Sequence, residues 1–557
     1  MKRRTFIKRT GGALLAFACG CSGSDTPGDT DGSPPGDDGI APINDGTPPT
    51  EDSSTPTNGD SEELWQLEEG HWESEYPLHV IYPRPDSETG EFARHRHAYP
   101  GRMYEIYIGV QFGAWPYRFE KISGPDWLNI VDETLVKDGE RFVVPEGYGV
   151  LRGTAPSTPG PAEPVTIRVY DQEHGRPDPS FVDVTFSVEV SPDNFVFVDN
   201  ENGDDTTGNG TISAPYRTIQ AMRGSSLHGG AICIVLGDHY YMDWPTHSTE
   251  ERFDTLDSEN PRAYIRDVPG YCVVEGKDSR RFANERGEDS FYAGFSIENI
   301  QQDVREQDNV KVFQNWSVRA VRTTIQRTRI YNMWPGHAVN DNPGAIVCLV
   351  PSNFNLDDPE SLHRYNYYVD IVVDRLWNEG DTAAGNPPAA YVSGGLRNLV
   401  ERMTVKNAGY GGHIFNKWGT RYHEVRACTL VENNPSNAHV QVGASTQYGV
   451  TKHAVACWNR VGPGKIWFSG VADDPELEGF VALRNSAQGV ESHTSVRNPV
   501  LRGNIAAEYH RNDHWDEDGR NIMVSSIDDA FDEDMNLVDE WKEANPGVFG
   551  KFGADIA

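Results

Sequence analysis

The chain lacks the positive charge that a nucleic-acid-binding protein needs. Its 557 residues carry 84 acidic and 49 basic side chains, which gives a formal net charge of -35. A phosphate backbone would be repelled by this field, so we expect no nucleic-acid partner. Another anionic partner requires a local basic patch that overcomes the global charge.

The cysteines lack the CxxC spacing of a redox or zinc motif. Two of the seven lie near the N-terminus, and the other five form an odd set that cannot pair completely within one chain. Each of the five sits in an apolar run, so we predict small buried hydrophobic residues rather than disulfides or metal ligands. The five are Cys233, Cys272, Cys348, Cys428 and Cys457.

Short catalytic signatures are also missing. The sequence has no Gly-x-Ser-x-Gly, P-loop, HExxH or EF-hand motif. The apolar run from Ala13 to Ala18 is far shorter than the roughly 20 residues that span a bilayer. Function must therefore be argued from the fold and from the residues that it brings together.

The N-terminal segment reads as an export signal. Arg3-Arg4-Thr5-Phe6-Ile7-Lys8 resembles the twin-arginine signal, and Ala16-Phe17-Ala18-Cys19 resembles a lipobox, in which the cysteine becomes the lipidated first residue. Cys21 is the competing site, and simple secretion after cleavage is the alternative. We predict a signal over 1–21 and a disordered acidic linker over 22–62, which would tether an exported lipoprotein at the cell surface or in the periplasm.

Residues 63–192 show short runs of alternating apolar and polar residues, without a helical period. This pattern predicts a small antiparallel β-sandwich. The segments Trp127–Ile130, Gly149–Pro156 and Val165–Asp171 resemble bacterial immunoglobulin-like and cadherin-like modules, which implies a spacer, with carbohydrate binding as the alternative. The predicted strands are His79–Tyr82, Tyr104–Ile108, Val165–Val169 and Val182–Val188.

The sequence pattern changes at Asp193. Phe197–Asp205 followed by Gly208–Ala221 resembles the opening of right-handed parallel β-helix proteins of the pectate-lyase-like superfamily. The resemblance implies a strand, a Gly/Asp-rich turn and a short helix that covers the open end of the coil. Such a cover is needed because an exposed terminal rung would otherwise aggregate.

Internal repeats support this fold. Apolar segments end in asparagine at intervals of 46, 29, 26 and 26 residues, and a second strand set begins at Ala390, His413, His439 and Lys465. Two sets of segments that repeat with the same period predict stacked coils from about residue 231 to about 506, with the asparagines as turn residues. We therefore predict an all-β protein, with an Ig-like β-sandwich before a right-handed single-stranded parallel β-helix over 193–510 and an acidic cap over 511–557. The asparagines are Asn332, Asn378, Asn407, Asn433 and Asn459.

Coil stacking brings residues one coil apart to within about 4.8 Å on one face. Positive and titratable groups are dense in two adjacent coils, and flat rings lie nearby. Three carboxylates could hold a calcium ion. The candidate catalytic residues are Lys417, Arg421, His423, Arg426 and Lys452; the candidate substrate-binding residues are Tyr391, His413, His439, Gln441, Lys465 and Trp467; the candidate calcium ligands are Asp370, Glu401 and Glu424.

These residue types suit β-elimination on an acidic polysaccharide, which needs a neutralised carboxylate, a base and an acid. The resemblance to β-helix lyases implies Lys417 or Lys452 as the base and Arg421 or Arg426 as the carboxylate clamp. A hydrolase would use two carboxylates, for which Glu401 and Glu424 are available. The alternative from another class is a non-catalytic glycan-binding or structural surface protein, because a solvated face is equally polar.

Overall fold

The structure is a computed structural model. It describes residues 76–131, 135–137, 140–142, 147–171, 181–224, 231–241, 253, 255, 262–266, 270–277, 282–284, 287–301, 311–315, 320–333, 344–348, 355, 358, 361–376, 388–408, 413–417, 419–431, 439–443, 452–469, 480–483, 485–492, 496, 500–510, 521–532 and 538–544. The predicted signal, the lipidated Cys19 and the linker lie outside these residues. No helix in the described ranges is long and apolar enough to cross a membrane.

Among the described residues, ten short strands form the first folded part. Two four-stranded sheets have the orders β1-β3-β8-β5 and β2-β10-β9-β4, and β6 and β7 form a separate hairpin. The strands are β1 His79–Tyr82, β2 His97–Ala98, β3 Met103–Gln111, β4 Arg118–Ser123, β5 Asn129–Val131, β6 Leu135–Lys137, β7 Glu140–Phe142, β8 Gly149–Thr154, β9 Gly160–Tyr170 and β10 Phe181–Val190.

These sheets form the predicted β-sandwich. All four predicted strands lie within β1, β3, β9 and β10. Alternation explains the packing, since Val165, Ile167 and Val169 of β9 are buried while their neighbours along the strand are more exposed. One pair, β2 with β10, is parallel rather than antiparallel. The likeness to immunoglobulin-like modules stays a prediction.

From Phe195 onward the described strands form one large parallel sheet of 28 strands, as a parallel β-helix requires. The strands are β11 Phe195–Val198, β12 Ile232–Val235, β13 His239–Tyr241, β14 Ala263–Ile265, β15 Cys272–Lys277, β16 Ala283–Asn284, β17 Gly287–Glu288, β18 Phe291–Gln301, β19 Lys311–Asn315, β20 Ala320–Val321, β21 Thr324–Met333, β22 Gly344–Cys348, β23 His363–Arg364, β24 Tyr367–Leu376, β25 Ala390–Ser393, β26 Gly395–Leu396, β27 Leu399–Lys406, β28 Ile414–Lys417, β29 Arg421–Arg426, β30 Thr429–Val431, β31 His439–Gly443, β32 Lys452–Cys457, β33 Arg460–Ser469, β34 Phe480–Leu483, β35 Ser486–Ser492, β36 Val500–Arg502, β37 Ile505–His510 and β38 Ile522–Met523.

Helices are short and lie near the ends of the coil. Helix α1, Ile219–Gly224, follows the first rung as the resemblance implied, and it buries Ile219 and Met222 against the interior of the coil. Trp541 and Phe549 in the acidic segment suggest a packed terminal cap; Trp541 is half-buried in helix α2, Asp539–Ala544, whereas Phe549 lies outside the described residues. Turns of 3-10 helix occur at Asp86–Glu88, Arg94–Arg96 and Ile527–Asp529.

The strands stack into three long faces. Face A comprises β11, β12, β14, the first part of β18, β21, β24 and β27, and then β29, β32, β34 and β36. Face B comprises β13 and β15, the second parts of β18, β21, β24 and β27, then β30, the first parts of β33, β35 and β37, and finally β38. Face C runs from β16 through β19, β22, β25, β28 and β31 to the second parts of β33, β35 and β37.

Left-handed residues turn the chain between faces. The corner between faces A and B has Arg327, Asp370, Arg402, Ala427 and Trp458 at φ from 48° to 58°. The corner before face A has Asp289, Arg322, Tyr365, Arg397, Tyr422 and His453 at φ from 52° to 62°. Bulky residues rarely adopt this conformation, so both corners store backbone strain.

The predicted asparagine turns belong to two separate ladders. Asn332 and Asn407 are left-handed, at φ 51°, and Asn332 donates to the side chain of Asn299 at 2.8 Å. Asn459 instead begins a buried ladder through Asn485, Asn504 and Asn521, with amide contacts of 2.9 Å. The residue in register with Asn332 is Arg375, while Asn378 and Asn433 lie outside the described residues.

The five cysteines of the folded part are buried and free, as predicted. Burial raises the pKa of the Cys272 and Cys428 thiols to about 12. They therefore act as small apolar side chains in the coil.

The sandwich packs on the outside of face A. The sandwich and the β-helix belong to one compact unit. Outward side chains of face A, among them Ile234, Phe291, Tyr367 and Leu399, share one apolar cluster with the sandwich core. The outer side of face A is therefore covered rather than solvated, although it also contains a few buried polar residues such as Gln326.

Candidate functional site

Three of the candidate residues form a buried ion network beneath the sandwich. Arg426, Glu401 and Glu424 are only 1%, 2% and 2% exposed. Arg426 donates from Nε to Glu401 Oε1 at 2.9 Å and from Nη1 to Glu424 Oε1 at 2.9 Å. It also donates to the carbonyl of Val110 at 2.7 Å and to Tyr117 Oη, both in the sandwich. This network joins the two folded parts.

Two further candidates also make their contacts within the protein. Burial lowers the pKa of His423 to about 3, so its imidazole is neutral at pH 7, and its Nε2 lies 3.1 Å from Asn398 Nδ2. Asp370 accepts a hydrogen bond from Tyr107 Oη at 3.1 Å and pairs with Arg402 at 3.3 Å. These side chains are occupied by contacts within the protein.

The predicted calcium ligands do not form a cluster. Arg426 bonds both Glu401 and Glu424, and Asp370 is bonded to Tyr107 and Arg402 instead. Across the described ranges, no three His, Cys, Asp or Glu side chains are grouped as a metal site requires.

Arg421 and Lys452 occupy a different place, at the corner that precedes face A. They are in register on consecutive coils, and both are half-buried. One residue further along lie Tyr365, Arg397, Tyr422 and His453, one on each successive coil. We call Arg397, Arg421 and Lys452, with the rings of Tyr422 and His453, the basic corner.

Two arginines of the basic corner have no carboxylate within ion-pair distance in the described part of the chain. Buried nitrogens of both, Nη1 of Arg397 and Nε of Arg421, make no hydrogen bond. Burial lowers the pKa of Arg397, and the nearby Arg84 adds to this shift. In contrast, Arg322 at the same corner pairs with Asp289 at 2.7 Å and Glu288 at 2.6 Å.

Aromatic rings line the basic corner. Tyr422 and His453 stack with centroids 4.8 Å apart and planes at 21°, and the Arg397 guanidinium lies 4.9 Å from the Tyr422 ring centroid. The sandwich contributes Tyr76, whose hydroxyl lies 3.3 Å from His453 Nδ1. The corner therefore combines positive charge with flat rings.

Face C contains most of the predicted substrate-binding residues. Its register places Tyr391, Phe415, Gln441, Trp467 and Glu491 in one row on successive coils. Tyr391 and Gln441 are 4% and 5% exposed, and Trp467 is half-buried.

The other predicted residues of face C have mixed positions. Lys465 pairs with Glu491 and, at 3.6 Å, with Glu508, while His413 is buried. His439 and Lys417 are described only in their backbone. Trp467 and Lys465 are thus the members of the predicted set whose described side chains are partly exposed.

Sequence reasoning missed Arg397 and the Tyr422 ring. Both occupy left-handed corner positions, which interrupt the two-residue alternation used to select strand residues. A signal was present, because Gly394 and Gly419 each take positive φ three residues earlier. Recurrent glycines at the coil period could have located this corner.

Comparisons with known proteins give little beyond the architecture. No family model matches the chain, and a search of curated proteins finds no match. Among solved structures, the chain is similar to a GH136 lacto-N-biosidase from Eubacterium ramulus, at 10% identity over 59% of this chain and 68% of that one, with a TM-score of 0.29. It is also similar to a rhamnogalacturonan lyase, at 12% identity over 65% of this chain and 99% of that one, with a TM-score of 0.36. At such values, function has to be argued from the site itself.

Proposed function

We propose that the basic corner binds an acidic polysaccharide and that the protein is an exported surface protein held by a lipid on Cys19. The observation that carries the binding proposal is the pair Arg397 and Arg421, on consecutive coils and without a carboxylate partner in the described residues. In a chain of charge -35, these two half-buried arginines form a local positive site, which is what an anionic partner needs. A guanidinium binds a carboxylate with two parallel hydrogen bonds.

The spacing of the basic corner suits an extended chain. Arg397, Arg421 and Lys452 lie on three consecutive coils, which places three positive charges within about 10 Å along the coil axis. The Tyr422 and His453 rings offer flat apolar surfaces against which a sugar ring packs. Face C, with Trp467 and Lys465, extends the surface on the same coils.

The finer proposal is cleavage of a uronate polysaccharide by β-elimination. Arg397 or Arg421 would neutralise the carboxylate, which acidifies the C5 proton. Lys452 would act as the base that removes that proton while the C4–O bond breaks and a C4–C5 double bond forms. A proton from Tyr422 or from water would complete the leaving hydroxyl. The proposal uses arginine in place of Ca²⁺, because Arg426 already bonds two of the three predicted calcium ligands.

Binding should be tested first, with pectate, alginate and an uncharged glucan. We expect salt-sensitive binding to the uronates, and a loss of about tenfold or more in Arg397→Gln and in Arg421→Gln, since a charge-assisted hydrogen bond contributes about 1.5–3 kcal/mol. Arg168→Gln is the matched control, because Arg168 pairs with Asp183 on an exposed sandwich face. Unchanged binding in both corner variants would refute the proposed site.

Catalysis is tested by the ultraviolet absorbance of the unsaturated product. We expect the absorbance to rise with the wild type and to stay flat with Lys452→Met, which should still bind the polymer. Binding by the wild type without any rise would support the alternative, a non-catalytic glycan-binding surface protein.

A further inference from the structure

A row of four outward side chains crosses the first coils of face B, on strands that take no part in the basic corner. The row joins strands β13, β15, β18 and β21, which stack in register on successive coils. Successive coils lie about 4.8 Å apart, so the row is about 14 Å long. We call it the tyrosine–glutamate row, and its members in order are Tyr241, Glu275, Glu298 and Tyr331.

The two glutamates of the row stand side by side, and like charges in this position repel each other. Among the described residues, neither glutamate lies within ion-pair distance of a lysine or an arginine. Glu275 accepts a hydrogen bond from Asn299 at 3.3 Å and lies 3.5 Å from His239 Nε2. Glu298 accepts one from the Ser296 hydroxyl at 2.7 Å. A carboxylate has about four acceptor positions, so an amide or a hydroxyl donor leaves room for a ligand and keeps the negative charge.

Aromatic rings lie at both ends of the row. Tyr241 is 63% exposed, and its ring stacks on that of His239 with centroids 4.4 Å apart and planes at 23°. Tyr331 is half-buried at the other end. The guanidinium of Arg329, on the same strand as Tyr331, lies 4.1 Å from the ring centroid of Tyr271. The row therefore presents two carboxylates between flat rings, and this combination attracts an organic cation.

We propose that the tyrosine–glutamate row binds a glycan of amino sugars whose amino groups are free and protonated. The ammonium groups would donate to Glu275 and Glu298, and the C–H faces of the sugar rings would pack on the two tyrosines. A metal ion would gain little from the rings, and a lysine side chain has no flat face to place against them. A uronate would be repelled, so this site takes sugars of the opposite charge to those that we propose for the basic corner.

Calorimetric titration at slightly acidic pH tests the row with two oligomers of equal length, one of glucosamine and one of N-acetylglucosamine. They share a backbone, and only the first carries positive charge. We expect the wild type to bind the glucosamine oligomer at least about tenfold more tightly, and Glu298→Gln to lose about tenfold in affinity for it. Tyr241→Ala should weaken the same binding, because a sugar ring would lose its packing surface.

A matched control separates the row from general attraction of a cation to a chain of charge -35. Glu120→Gln removes the same charge from an exposed position of strand β4 in the sandwich, and it should bind the glucosamine oligomer like the wild type. Equal affinity of the wild type for the two oligomers would overturn the proposal, and so would equal losses in Glu298→Gln and Glu120→Gln. Tighter binding of a lysine peptide of the same charge would also overturn it, in favour of a protein partner.

Discussion

Single residues with the same charge have opposite roles in this protein, and burial decides which. Arg426 is 1% exposed and bonds two carboxylates, a hydroxyl and a carbonyl, so its five donors are used within the protein. Arg421, five residues earlier in the same strand, is half-buried and has no carboxylate partner in the described residues. The first residue holds the sandwich to the β-helix, while the second is the one that we propose binds an external anion.

The first stability prediction compares these two arginines. Arg426→Met should lower the free energy of unfolding by about 3–5 kcal/mol, because Glu401 and Glu424 would remain buried without a counter-charge. Arg421→Gln should change it by no more than about 0.5 kcal/mol. Urea unfolding of both variants measures the difference. A loss of polysaccharide binding in Arg426→Met at wild-type stability would contradict the structural role.

At the scale of elements, the asparagine ladder joins successive coils independently of the strands. Asn459, Asn485 and Asn504 are buried, and each amide nitrogen donates both to the next asparagine and to a carbonyl of face A. The ladder satisfies polar groups inside the coil that would otherwise be orphaned.

Asn485→Leu tests this ladder from its middle. The leucine would remove the Oδ1 acceptor of the Asn459 backbone and side-chain N–H groups, and the Nδ2 donor to Asn504 Oδ1 and to the Ala456 carbonyl, so we expect a loss of about 1–3 kcal/mol in stability. Asn209→Leu is the control, because it makes the same substitution at an exposed turn outside the ladder. Chemical unfolding measures both, and a melting profile of Asn485→Leu equal to the wild type would show that the ladder contributes nothing.

The sequence was sufficient to predict the strands and the repeat, but not the surfaces against which the strands pack. Alternation located β1 and β9, and the 26-residue step from His439 to Lys465 put Gln441 and Trp467 at equivalent positions, as in the structure. The covering of face A was missed, although its strands are apolar at consecutive positions, as in Phe291–Ala293. Which surface covers such a strand depends on contacts between residues far apart in the chain, and a local pattern does not encode them.

For the whole molecule, the shared apolar cluster predicts one cooperative unit instead of a spacer followed by a catalytic part. The sandwich and the β-helix are joined by the Arg426 network and by outward residues such as Tyr367. Buried histidines occur on both sides, with His95 in the sandwich and His423 in the coil. Protonation in one part should therefore destabilise the other.

The pH dependence of unfolding tests whether the sandwich and the β-helix unfold as one cooperative unit. Burial lowers the pKa of His95 and His423 to about 3 in the folded protein, against 6.5 for an ordinary histidine. The two neutral histidines make their full contribution to the free energy of unfolding above pH 6.5. This contribution is lost as the pH falls from 6.5 towards 3. At pH 5 the two together should cost about 4 kcal/mol, since one pKa unit corresponds to about 1.36 kcal/mol.

Calorimetry should show one transition that moves to lower temperature as a whole between pH 7 and pH 5. His423→Gln should remove only part of the slope, because burial also lowers the pKa of His95, His79 and His97. Two transitions with separate pH dependence would show that the sandwich and the coil unfold independently. The raised pKa of the buried Glu424 acts in the opposite direction, so Glu424→Gln should steepen the slope.

The contacts between the sandwich and face A also impose an order on biosynthesis. Val110 and Arg426, which bond directly, are separated by 316 positions in the chain. At roughly 5–20 residues per second, a ribosome needs about 15–60 s to make the intervening segment. During that interval the docking surface of the sandwich faces the cytosol and is a target for chaperones. Assembly thus waits until Arg426 has been made, about three quarters of the way along the 557 residues. The twin-arginine route, which carries proteins across the membrane already folded, stays a prediction.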